Sequence, residues 1–288
     1  MESTEGFKEK IDGLYELHSV VKTMKLIAAS SLSQYEQAVI ALQDYNETVE
    51  VSLSAFFRGV DLKESEEGKG KLCLIVFGTD QGLVGEFNSV MKEFLIMDIK
   101  SDSYKVNIFC IGEKLRSDLE EAGFVPKKTY EVPNSVKAIN PLVGQILLDV
   151  LSEMKVDGDS LKIYNHRPLN MSLYQPSVKH VLPLELKWKE KMKRNKWPSN
   201  KIPQIIGRKE EVLFSLIDEY LFVSLFQSCA ESLSSENSSR FASMQRAEKN
   251  IEELLDDYKS GYNRLRQNKI DEELFDLISG FDSLKKRL

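Results

Sequence analysis

LFSLIDEYLFVSLFQSCAESL, residues 213–233, places apolar side chains at Leu213, Leu216, Tyr220, Val223, Phe226, Ala230 and Leu233. The gaps are threes and fours, the spacing of one helix face. The stripe resumes at Phe241, Met244, Ala247, Ile251, Leu254, Tyr258, Tyr262, Leu265, Leu274, Leu277 and Phe281. No proline interrupts residues 204–288, and the glycines there are Gly207, Gly261 and Gly280. A helix of roughly 78 residues would run ~117 Å, far longer than a compact domain is wide.

The other end of the chain has the same character. Apolar residues recur at Leu14, Leu17, Val21, Met24, Ala28, Leu32, Tyr35, Val39, Leu42, Tyr45, Val49, Leu53 and Phe56, twelve gaps over 42 residues with a mean of 3.5. That is the period of a left-handed coiled coil. Between Phe7 and Phe57 there is no proline and one glycine, Gly13, and all eight prolines lie between Pro126 and Pro203. The spacing predicts that residues 7–57 and 208–285 pair as an antiparallel coiled coil. The C-terminal helix outreaches its partner. Its last part, near 265–288, carries Leu277, Ile278, Phe281 and Leu284 and needs a surface in another protein. A chain folded back on itself in this way suits the transmission of force more than the binding of a small substrate.

Between the helices, KLCLIVF (71–77) and KVNIFCI (105–111) read as buried strands flanking a helical stretch, EFNSVMKEFLIM (86–97). That is the spacing of a βαβ unit with parallel strands. Gly112 to Ala122 and Val136 to Met154 read as further helices. LKIYNH (161–166) and the region from Ser172 to Leu182 add strand character. The expected fold is α/β: a long antiparallel coiled coil of the two terminal helices with a small doubly wound α/β domain inserted. Its segments are 1–60, 61–207 with a basic foot, and 208–288.

Site chemistry is sparse. The turn GTDQGLVGEFN has glycines at 78, 82 and 85 before a helix, but its spacing fits neither dinucleotide nor P-loop patterns and no lysine follows Gly85. It reads as a phosphate loop or as a tight strand–helix turn. His18, His166 and His180 lack metal-ligand spacing, and no cofactor is expected. Cys73, Cys110 and Cys229 are few and far apart, and read as reduced thiols in a cytosolic compartment. The start MESTEGF has no apolar targeting core, and no run of 18 apolar residues occurs. A net charge of −6 argues against non-specific nucleic-acid binding.

Two stretches stand out. SCAESLSSENSSRFASM holds seven serines from Ser228 to Ser243. It reads as a slim helix lying in a sleeve, or as a solvated helix face. From Lys187 to Lys209 nine basic residues face one acidic residue, Glu190, with Trp188 and Trp197 among them. Such a segment can meet anionic lipid, acidic protein loops or, with the least support because no RNA or DNA fold signature accompanies it, nucleic acid, or be a solvated loop.

The terminal stretches carry a resemblance. VVKTMKLIAASSL (20–32) is similar to I-T-K-A-M-K-M-V-A-A-S-K-L, SSENSSRFASMQRAEKN (234–250) to S-E-x-x-A-R-M-x-A-M-x-x-A-T-x-N, and YNRLRQNKIDEEL (262–274) to Y-N-x-x-R-Q-x-x-I-T-x-E-L. These are motifs of the gamma subunits of F-type ATP synthases, the central rotor shaft. YNHR (164–167) and LPL (182–184) fit weaker landmarks of the same family. Gln81 and Val84 look more like the sodium-type (N-type) bacterial subgroup. Ser31 and Asp271 depart from the family's lysine and threonine.

The resemblance implies a non-catalytic rotor. Its coiled coil lies inside a hexamer of catalytic and nucleotide-binding subunits, and its foot lies near the membrane ion-carrying ring. It further implies an epsilon-type partner and a peripheral place on the cytoplasmic face of the bacterial inner membrane. Met24, Lys25, Arg240, Arg266, Gln267, Asp271 and Glu273 become candidates for contact with the hexamer. Lys191, Lys193 and Arg194 become candidates for contact with the ring or anionic headgroups. The regulatory cysteine pair of chloroplast forms is missing. A coiled-coil adaptor with an α/β head is the alternative reading, and a nucleotide-binding enzyme using the 78–85 turn is another.

Overall fold

The computed structural model describes residues 4–58, 70–99, 106–154, 159–169, 173–184, 190, 201 and 204–285. The order of elements is α1 (Thr4–Arg58), β1 (Leu72–Phe77), α2 (Phe87–Ile99), β2 (Val106–Ile111), α3 (Glu113–Glu121), β3 (Lys128–Tyr130), α4 (Val136–Glu153), β4 (Ser160–Pro168), β5 (Tyr174–Leu182) and α5 (Lys209–Lys285). Both terminal helices are continuous, as the missing prolines demand. By packing, the chain divides into two compact units: Ala28–Arg240, and Met1–Ile27 with Phe241–Leu288. This division follows contacts rather than the three segments read from the sequence.

The larger unit is built on a five-stranded sheet of order β3-β2-β1-β4-β5. Strands β1 to β4 run parallel, with Leu74 opposite Ile108 on one side and Lys162 on the other. β5 runs antiparallel to β4, with Tyr164 opposite Val178. Two features went unread in the sequence. β3 has three residues, too few to show a period, and β5 returns as a hairpin rather than through a helical crossover.

Alternation along β1 assigns its two faces. Leu72, Leu74 and Val76 pack with Met91 and Leu95 of α2 and with Leu115 and Leu119 of α3. Cys73, Ile75 and Phe77 join the other core, with Ile139, Val143, Ile146 and Val150 of α4, Leu53, Phe56 and Phe57 of α1, and Tyr220, Val223 and Phe226 of α5. Every β1 side chain is buried, which explains why the strand reads as an unbroken apolar run. Burying each of these large side chains stabilises the unit by about 1.5–3 kcal/mol.

Within this unit α1 and α5 run antiparallel. Tyr45 donates its hydroxyl to Glu219, while Tyr35 lies among Cys229 and Glu236. Thus α1 ascends as α5 descends. By length and composition α5 could cross a membrane, but its apolar part is the core of this unit. Tyr220, Leu221, Val223, Leu225, Cys229, Ala230 and Leu233 are all buried.

The smaller unit is also an antiparallel helix pair. Phe7 meets Tyr258 edge-on at 5.7 Å, the Lys259 ammonium lies over Tyr15, and Lys25 donates to Glu248. Gly261 makes room for Phe7, whose ring would lie 2.7 Å from a Cβ there. The stripe shifts by one residue at one point: Leu255 is buried and Leu254 is exposed. From Ile270 to Ile278 the helix has no cover among the described residues. Ile270, Leu274, Phe275, Leu277 and Ile278 are 51–73% exposed.

Candidate functional site

In open α/β sheets the ligand crevice lies beyond the carboxyl ends of the strands, where the strand order reverses. Here that point falls between β1 and β4, and the GTDQGLVGEFN turn leads out of it. The turn is knitted together by its own neighbours. Thr79 N–H donates to Asn88 Oδ1 at 3.2 Å, and Asn88 Nδ2 donates to Thr79 Oγ1 at 2.8 Å. The Asp80 carboxylate accepts from the N–H groups of Glu113 (3.0 Å) and Val132 (2.9 Å). Gly112, at φ 111°, lies against Thr79, whose backbone would be 2.6 Å from a Cβ. Gln81 accepts the Thr79 hydroxyl through its carbonyl oxygen, and Val84 is buried. Between the two readings of this turn, the geometry is that of a tight strand–helix turn.

The crevice itself is filled by α5. Ser239 Oγ donates to the Val84 carbonyl at 2.6 Å, and Ser235 Oγ donates to the His166 carbonyl at 3.2 Å. The Tyr174 hydroxyl lies 3.2 Å from Ser239 Oγ. Asn165 Nδ2 donates to Glu231 Oε2 at 3.0 Å, and Lys179 Nζ to Ser224 Oγ at 3.0 Å. Ser228, Ser232, Ser234, Ser235, Ser238 and Ser239 are all buried. The serine-rich stretch is therefore not a solvated face: among the described residues, its sleeve is the chain's own α/β insert. Small side chains let the helix approach the strand ends, and their hydroxyls donate to buried carbonyls there.

His166 sits at the centre of this clasp. Its ring lies 3.9 Å from the Phe87 ring and 4.9 Å from that of Tyr174. It is fully buried, and neither ring nitrogen has a hydrogen-bond partner. Burial pulls its pKa down to about 3, so the ring is neutral. Nearby, Glu236 pairs with Arg240 at 2.6 Å, one helical turn away. Burial raises the Glu236 pKa, and Arg240 opposes that rise. The Tyr35 phenol is pushed up to about 12, by burial first and then by Glu236 and Cys229.

The expected hexamer contacts fall into three groups. Arg240 is mostly buried beside Glu236. Met24 and Lys25 are half-buried in the smaller unit, where Lys25 donates to Glu248. Arg266, Gln267, Asp271 and Glu273 are exposed on the uncovered end of α5, next to Ile270, Leu274 and Phe275. Phe275 is 72% exposed and escaped the sequence reading, because it lies off the stripe. Lys191, Lys193 and Arg194 lie outside the described residues. The three cysteines are buried and unpaired; burial pushes Cys73 up to about 11 and Cys110 up to about 12, so both are unreactive thiols.

Comparison with known proteins agrees with this architecture. The ATP synthase family matches residues 3–284. The ATP synthase gamma chain of Sulfurihydrogenibium sp. is 29% identical over 294 aligned positions, covering 98% of this chain and 99% of the relative. That of Aquifex aeolicus is 24% identical, with 98% of each chain covered. Among solved structures, a chain of the Euglena gracilis mitochondrial ATP synthase rotor has the same fold at a TM-score of 0.64 and 19% identity, covering 93% of this chain and 98% of that one. The chain belongs to the ATP synthase family and, within it, to the gamma subunits of the F-type complexes.

Proposed function

We propose that this chain is the central rotor of a membrane ATP synthase or ion-translocating ATPase, carrying out no bond chemistry of its own. The uncovered end of α5 carries the reading. Five large apolar residues between Ile270 and Ile278 stand in water beside Arg266, Gln267 and Glu273. Leaving them exposed forgoes about 1.5–3 kcal/mol for each large side chain, which favours a sleeve supplied by other subunits. A hexamer of catalytic and nucleotide-binding subunits provides one. An asymmetric shaft within it favours different nucleotide states at different sites. Rotation and nucleotide turnover are then reciprocally coupled.

The clasp of the insert on α5 gives rotation a route into the shaft. Five hydroxyl, amide and ammonium contacts between the insert and α5, rather than a covalent bond, would carry that load. The basic segment 187–209, with Lys191, Lys193 and Arg194, is assigned to the ring or to anionic headgroups, and an epsilon-type subunit completes the stalk. The complex would sit peripherally on the cytoplasmic face of a bacterial inner membrane. Reconstituting the chain with the catalytic and nucleotide-binding subunits tests the reading. It predicts a stable ATPase complex containing one copy of this chain, and a free chain that stays apart from the hexamer would defeat it.

A further inference from the structure

We propose that His18, Glu248 and Glu252 form a binding site for a zinc-class divalent transition-metal ion that bridges the two helices of the smaller unit. His18 comes from α1, and the two glutamates come from successive turns of α5. Residues four apart share a helix face, so both carboxylates point toward His18. One ligand atom from each of the three residues lies within 4.8 Å of the others. His18 Nε2 is shielded from solvent and makes no hydrogen bond. Its nearest anion, Glu252 Oε1, is 3.5 Å away. A shielded, unsatisfied imidazole nitrogen aimed between two carboxylates is a donor set in want of an acceptor ion.

The donor chemistry selects the metal class. Imidazole nitrogen with carboxylate oxygen suits zinc and its neighbours, while magnesium prefers an all-oxygen octahedron. Three protein ligands leave a fourth position for water, and the required bond lengths are about 2.0–2.2 Å. Small rotations of the glutamates, one of them 61% exposed, would close the site. Lys25 is the competitor. Its ammonium donates to Glu248 Oε2, so the metal either takes the other oxygen or displaces the lysine. Lys22 adds a second, weaker positive charge near Glu248. Metal and ammonium therefore compete for the same carboxylate charge. Binding would add a coordinate link between the helices.

The test uses the full chain with zinc chloride or cobalt chloride in chelator-free buffer near neutral pH. One equivalent should bind, and cobalt should give the visible absorption of a low-coordinate site. Zinc at about a hundred times its dissociation constant should raise the melting temperature by roughly 5 °C. Magnesium should leave it unchanged. His18→Gln and Glu252→Gln should each weaken binding at least tenfold, and Lys25→Met should strengthen it. All three positions are half-buried or exposed, and circular dichroism confirms that the variants fold. Zinc binding that survives His18→Gln and Glu252→Gln unchanged, or no binding by the native chain, would overturn the proposal.

Discussion

The Ser239 hydroxyl donates to the Val84 carbonyl at 2.6 Å, joining the serine-rich part of α5 to the turn that leaves β1. A crevice that related sheets use for ligands is occupied here by the chain's own helix. Close approach depends on small side chains, so size should matter more than polarity at these positions. Ser239→Ala removes one hydrogen bond to a buried carbonyl and should cost about 1–3 kcal/mol. Ser235→Leu adds bulk at a fully buried position and should cost about as much or more. Chemical denaturation of the three proteins measures both. A Ser235→Leu variant as stable as the native chain would mean that this face is not tightly packed.

His166 should make stability depend on pH in a known direction. The unfolded ring takes up a proton near pH 6.5, while the buried ring stays neutral down to about 3. Between those values the unfolded state binds more protons, so stability rises with pH and is lost as pH falls. The gap sets an upper bound on the order of 4–5 kcal/mol across that window. His166→Phe keeps the stacking on Phe87 and Tyr174. It should flatten the native profile by up to one proton between pH 3 and 6.5, with little change at pH 7.5. Parallel profiles for the two proteins would show that the ring titrates normally.

Glu236 and Arg240 should be coupled. A buried carboxyl with a raised pKa stabilises the fold fully below its ordinary value and loses that contribution as pH rises through the shifted one. Arg240 offsets this at neutral pH. Arg240→Ala strands a buried charge and should cost about 3–5 kcal/mol, more at pH 8 than at pH 5. Adding Glu236→Gln should recover much of the loss. A double-mutant cycle with no coupling would assign Arg240 to another surface, such as the hexamer contact expected from the family motif.

Arg266 and Gln267 present the opposite case, being exposed on a helix end without cover. Charge-assisted contacts to a partner carboxylate are each expected to contribute about 1.5–3 kcal/mol. Changing both residues to Ala should lower ATPase turnover of the assembled complex or uncouple it from ion movement. The melting curve of the isolated chain should stay in place. Normal coupling together with an earlier melt would mark them as structural.

The long helices were legible because a 3.5-residue stripe sustained over 42 residues, with no proline, admits few other structures. β1 was legible because a strand buried on both faces reads as unbroken apolar sequence. β3 was not, since three residues carry no period. The clasp escaped for a different reason. Serines carry no hydrophobic signal, so Ser228 to Ser239 looked as much like a wet surface as a packed one. Only the carbonyls of Val84 and His166, far away in sequence, settle the matter. The same holds for His18, whose partners Glu248 and Glu252 come from the far end of the chain.

The rotor assignment is tested most directly by watching the chain turn. A bead fixed to an added cysteine on the exposed face of α3, with the hexamer immobilised, reports rotation under ATP in the reconstituted complex. The account predicts unidirectional steps driven by hydrolysis, with weaker or slipping rotation in the Arg266→Ala, Gln267→Ala variant. Steady hydrolysis by a complex in which this chain stays fixed relative to the hexamer would contradict it.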